Sequence, residues 1–104
     1  MSERIGCKAA LWRWAGPSGS GTWHFITIGG AAGEALSATA LMRRLEGAGR
    51  GFGSLKVTAT IGDSRWQTSV FPSRAEGWML PVKAAVRKAE GISDGDEVAL
   101  VLDV

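Results

Sequence analysis

The sequence predicts a mostly-β barrel that carries two short helices and is assembled from two similar halves. Three observations predict it: short runs alternate between apolar and polar residues, glycine clusters separate those runs, and a helix followed by an alternating strand occurs twice. At 104 residues the chain is one domain by length, 1–104, and buries roughly two thirds of the surface its unfolded form exposes.

The alternation begins at Ile5 to Trp14, where small or apolar side chains are interrupted by Lys8 and Arg13. "AGPSGSGT" then supplies residues that continue neither a helix nor a central strand, so a hairpin loop follows. "TWHFITI" is rich in aromatic and β-branched residues that suit a pleated surface, and it stops at Gly29-Gly30. From Glu34 to Glu46, Leu36, Ala40, Met42 or Arg43 and Leu45 fall at helical spacings, ending at Gly47. "LKVTATI" puts Leu55, Val57, Ala59 and Ile61 on one face, and after the turn "GDS" the run "RWQTSVF" is strand-like until Pro72. Pro81 suits the first position of a second helix, with Val82, Ala85, Val86 and Ala89 as its apolar stripe and Gly91 as its left-handed cap. "SDGD" turns the chain into a last strand whose Val98, Leu100, Leu102 and Val104 point inward.

The two helical stretches are alike. Ala35 to Ala48 laid over Met79 to Ile92 matches Leu36 with Leu80, Ala40 with Ala84, Arg43 with Arg87, Glu46 with Glu90 and Gly47 with Gly91, and Arg44 falls on Lys88. With a one-residue shift Trp23 lies over Trp66, and the strand from Leu55 to Ile61 lies over that from Val98 to Val104. Units of this kind bury their apolar faces against each other, and two of them close into a barrel more readily than they stack into a solenoid.

The run "FP…LPVKAAVRKAEG…GD.V", within a stretch reaching from "TWHFITI" to the C-terminus, resembles a small bacterial family, the domain of unknown function 1905 family. Members occur alone or joined to the helical domain of bacteriocin-protection proteins. The resemblance implies a double-split β-barrel related to the AbrB and MazE swapped-hairpin barrels, and no agreed activity. Leu80-Pro81, Arg87-Lys88, Gly91-Ile92 and Gly95-Asp96 are similar to half of an AbrB-type chain, in which two subunits complete one barrel and basic residues contact DNA. Here both halves carry a basic pair, Arg43-Arg44 and Arg87-Lys88, so that one chain imitates the dimer.

Twelve Lys and Arg against ten Asp and Glu are interspersed, so a net charge of +2 is a weak pointer to an anionic partner. The single Cys7 forms no internal disulfide, reads as a buried thiol and suits a reducing compartment; the N-terminus shows neither a signal peptide nor a membrane span, which leaves the cytoplasm. Lys83, Arg87 and Glu90 share a helical face with Lys88 at its edge; such cations complement a helix dipole, and they also neutralise phosphates. Pro72, Ser73 and Arg74 extend that site. Of the five tryptophans, Trp12 and Trp14 share a strand face and Trp78 precedes the second helix; an indole beside Arg87 would stack on bases or sugars. His24, the only histidine, has no companion at metal-ligand spacing, and a pairing with Ser69 lacks a nucleophile-elbow motif. "GAGRGFG" follows a helix and enters a strand, the reverse of a dinucleotide loop, and reads as a turn.

The whole gives a double-split β-barrel of about six strands with two short helices, in pseudo-twofold halves at about 22–61 and 65–104. Its expected role is a non-enzymatic binding module without cofactor or metal, monomeric, contacting nucleic acid or a small anion through Arg43, Arg44, Arg74, Lys83, Arg87, Lys88 and Trp78. The alternatives are a protein-interaction module, marked by an exposed tryptophan-bearing patch and acting with a bacteriocin-protection-type helical domain, and an enzyme using His24.

Overall fold

The computed structural model describes residues 3–15, 22–45, 53–73 and 77–104. Its elements run strand, strand, helix, strand, twice over: β1 (Arg4–Ala15), β2 (Thr22–Ile28), α1 (Gly30–Leu45) and β3 (Leu55–Ile61), then β4 (Ser64–Pro72), β5 (Trp78–Pro81), α2 (Ala84–Glu90) and β6 (Glu97–Asp103). The strands close into one antiparallel ring in the order β1-β2-β5-β4-β3-β6. Exchanging β1, β2 and β3 with β4, β5 and β6 leaves that ring unchanged.

Two strands each serve two sheets. Residues 4–10 of β1 pair with β6, and residues 11–15 pair with β2. Residues 64–70 of β4 pair with β3, and residues 71–72 pair with β5. The first sheet therefore holds β3, β6 and the opening parts of β1 and β4; the second, called here the aromatic sheet, holds β2, β5 and their closing parts. The ends of the described chain meet on the first sheet, where Glu3 and Val104 exchange two backbone hydrogen bonds of 2.9 Å.

Strand alternation decides what fills the barrel. Leu55, Val57, Ala59 and Ile61 are buried, as are Val98, Leu100, Leu102 and Val104, with Ile5, Leu11, Ile26, Ile28, Val70 and Leu80 from the remaining strands. Each such valine, leucine or isoleucine side chain contributes about 1.5–3 kcal/mol relative to full exposure. α1 closes over the core with Ala32, Gly33 and Leu36, and α2 with Val86.

Several expectations need correcting. β5 is a strand where the second helix was expected to begin: Trp78 and Leu80 are buried while Met79 and Pro81 turn outward, and Val82 N–H continues the ladder to His24 O at 2.8 Å. Lys83 takes the N-cap position, and of the expected stripe Val82, which precedes the helix, and Val86 are buried, with Ala85 and Ala89 exposed. α1 starts at Gly30, ahead of Glu34, and its last turns leave Leu41, Met42 and Leu45 exposed. Leu36 and Leu80 are not counterparts, since one is helical and the other extended. Trp23 and Trp66 lie on β2 and β4, which the ring does not exchange, whereas β3 and β6 are exchanged as the strand alignment expected. The left-handed cap at Gly91 is present with φ 64°, and Ile92 N–H folds back to Arg87 O at 3.1 Å. Among the described residues no helix is long and apolar enough to cross a membrane.

Candidate functional site

The residues of the aromatic sheet that do not face the core are almost all large and apolar. β1 turns out Trp12 and Trp14, β2 turns out Trp23 and Phe25, β5 Met79 and Pro81, and β4 Phe71. Strand register sets them side by side: Trp12 is opposite Phe25 and Phe25 opposite Pro81, Trp14 is opposite Trp23, and Met79 is opposite Phe71. Cross-strand neighbours on one face lie about 4.5–5.5 Å apart at Cβ, so the seven side chains form one continuous surface. It encloses a groove of about 590 Å³.

Ring contacts hold part of this surface in place. Trp12 and Phe25 pack at 5.2 Å between centroids and an interplanar angle of 35°, and the Trp23 and Phe25 rings lie 6.5 Å apart at 18°. The Trp12 indole N–H donates to Thr27 Oγ1 at 2.8 Å. The indole N–H groups of Trp14 and Trp23 find no acceptor among the described residues, and these rings, with Phe71, are 45 %, 56 % and 43 % exposed. Contiguous apolar surface of this kind is uncommon on a protein that binds nothing.

A second hollow of about 190 Å³ adjoins the groove, with Trp23 and Pro81 in both linings. It opens where β4, paired with β5 only at residues 71–72, swings away to join β3. Its remaining walls are polar or mixed: Trp66, Gln67 and Thr68 from β4, then Val82 and Lys83. Lys83 is exposed and forms no ion pair among the described residues.

The sequence matches, over residues 8–102, a family described as Domain of unknown function (DUF1905). The chain belongs to that family. The matched span begins within β1 and ends at Leu102 of β6, so the DUF1905 domain takes in both helices and the aromatic sheet. No curated protein matches the chain.

Within the DUF1905 barrel the residues expected to bind anions do not form one surface. Arg43 and Arg44 end α1, which lies against β1 and whose Thr39 hydroxyl donates to the Glu3 carboxylate, just ahead of that strand, at 3.2 Å. Arg87 and Lys88 end α2, which is held to the β3–β4 turn by Glu90: its carboxylate accepts Ser64 Oγ–H at 2.6 Å and Asp63 N–H at 3.4 Å. β1 and β4 face each other across the ring, so the two basic pairs are carried on opposite sides. Lys83 precedes α2 at its N-cap and Arg87 lies within it, where Arg87 Nε–H reaches Val82 O at 3.4 Å. Arg74 lies outside the described residues, as does most of "GAGRGFG". Trp78 is corrected from a stacking residue to a core residue: it is 5 % exposed, and its indole N–H donates to Ser37 Oγ at 3.0 Å.

His24 is half-buried on the inner side of β2, opposite Arg13, and its Nδ1 has no hydrogen-bond partner among the described residues, Ser69 included. Desolvation lowers its pKa; Arg87 and Arg13 push the same way, and Asp94 opposes them. Burial pushes the Cys7 thiol up, away from the thiolate a nucleophile needs. No group of three potential metal ligands occurs among the described residues. The aromatic face was partly readable in advance, since Trp12 and Trp14 stand in the opposite phase to Ile5 and Leu11 on one strand. Its extent required the pairing of β2 with β5, a contact between distant parts of the chain.

Proposed function

We propose that this DUF1905 barrel is a non-enzymatic binding module that holds an apolar segment of another protein on its aromatic sheet. The observation that carries the reading is the groove formed by Trp12, Trp14, Trp23, Phe25, Phe71, Met79 and Pro81, in which no side chain is charged. These outward side chains are not needed to fill the core, and rigid aromatic rings are the side chains that concentrate binding energy at protein interfaces. The sequence resemblance makes a bacteriocin-protection-type helical protein the first partner to try. Closure of the barrel within one chain supports a monomer, and the lone Cys7 supports a place in the bacterial cytoplasm. The test is photo-crosslinking in cells with a photoreactive phenylalanine analogue at position 23, which keeps an aromatic ring in the groove, compared with position 6 on the outside of the first sheet. A discrete identified partner from position 23 alone is expected; the same products from both positions would overturn the reading.

A second reading retains the AbrB-like resemblance: nucleic acid or a small anion contacts the basic helix ends. In its favour, Arg43, Arg44, Arg87 and Lys88 make no ion pair among the described residues. It predicts binding of a labelled duplex that weakens as salt rises and is lost in Arg43→Glu/Arg87→Glu. Fluorescence anisotropy at low and moderate salt reads both effects, and an absence of binding at low salt removes this reading.

A further inference from the structure

Resting on the protein-segment reading of the aromatic sheet, we infer that the segment it takes is proline-rich, bound as a polyproline II helix, with an acidic residue beside the apolar stretch that pairs with Lys83.

The ring leaves three ways for a protein segment to be read. Addition of a strand uses an unpaired backbone edge, such as the side of β1 beyond its pairing with β6, and leaves the outward ring faces and indole donors in the middle of the sheet unused. An amphipathic helix could cover the groove, but its backbone carbonyls are satisfied internally, so it makes no use of the indole N–H donors of Trp14 and Trp23. A polyproline II segment uses both features. Its prolines present apolar ring faces to aromatic walls, while its carbonyls, which have no internal partners, accept from indole N–H groups. It also loses little entropy on binding, because the conformation is set beforehand.

The adjoining hollow fixes the flank of the segment. A chain crossing the ridge of Trp23 and Pro81 leaves apolar surface and meets Lys83, Gln67 and Thr68. The ammonium of Lys83 has no carboxylate within the described protein, so an acidic residue on the ligand is its complement. Arg87, in the helix that Lys83 precedes, adds positive potential to that end.

Oligoproline peptides of about eight residues, extended by roughly 3.1 Å each, carrying two aspartates at one end, at the other end, or two lysines instead, are titrated against the intact protein by tryptophan fluorescence. A helix-forming amphipathic peptide is the control, and Trp14→Ser/Trp23→Ser and Lys83→Glu are compared after their folding is verified by circular dichroism. Saturable binding of an aspartate peptide is expected, roughly two- to fivefold tighter than the lysine peptide, as for an exposed ion pair. Lys83→Glu should reverse that preference, and the double tryptophan variant should abolish binding. If position 23 crosslinks a partner but no oligoproline saturates, or the helical peptide binds instead, this inference falls and the protein-segment reading stands. If position 23 also fails to crosslink, both fall. A charge preference unchanged in Lys83→Glu overturns the assignment of the acidic flank.

Discussion

Trp23 and Trp78 sit on adjacent strands of the aromatic sheet, one turned outward and the other inward, and truncation separates their roles. Trp78→Ala empties a core position and leaves Ser37 without its indole donor, an expected loss of about 3–5 kcal/mol in urea unfolding. Trp23→Ala removes a ring that is 56 % exposed, so stability should stay within about 0.5 kcal/mol while partner binding is lost. His24 gives a pH dependence of definite sign. Its native pKa lies below the ordinary 6.5, so the native fold binds the proton less well than the unfolded chain does. The resulting stability is fully present above that ordinary value and declines as pH falls through the native pKa. Melting temperature should therefore drop between about pH 7 and pH 5 by more in the wild type than in His24→Gln; equal drops would remove His24 as the cause. Residue types alone could not separate these roles, because a tryptophan next to a helix and a tryptophan in a strand look equally suited to core or surface.

At the scale of elements, alternation was the legible signal and capping chemistry the misleading one. β3 and β6 alternate without interruption and fold where that pattern places them. Pro81 has the fixed φ of a helix start, yet four residues of period two, anchored by buried Trp78 and Leu80, hold it in β5 instead. Of the residues at helical spacings in α1, Leu36 and Ala40 pack on the core, whereas Met42 and Leu45 project beyond the barrel, as does Leu41. The start of β5 depends on Gly77, whose φ of 66° and close approach to the Ile28 carbonyl leave no room for a side chain. Gly77→Ala should destabilise by about 1–3 kcal/mol or more, with backbone strain added to the clash; chemical denaturation measures it, and an unchanged midpoint would refute the steric account.

For the whole molecule, what local sequence could not show was the order of the ring. The pairings β2 with β5 and β3 with β6 join segments far apart in sequence, and the first of them decides that outward residues from four strands meet on one face. Charge was legible as a near balance, and it drew attention to helix ends that the fold then separates. Because β1 and β4 each belong to both sheets, neither sheet can open alone without breaking a strand shared with the other. Native-state hydrogen exchange should accordingly show the buried amides of both sheets exchanging together in one global opening, and a subset that opens much earlier in either sheet would contradict this. The hydrogen-bonded meeting of Glu3 and Val104 has a further consequence: the fold is nearly a cycle, so the point at which the polypeptide is cut is incidental to it. A permuted gene that joins these ends through a short linker and starts anew at the exposed Gly62-Asp63 turn would encode the same barrel and present the same tryptophans.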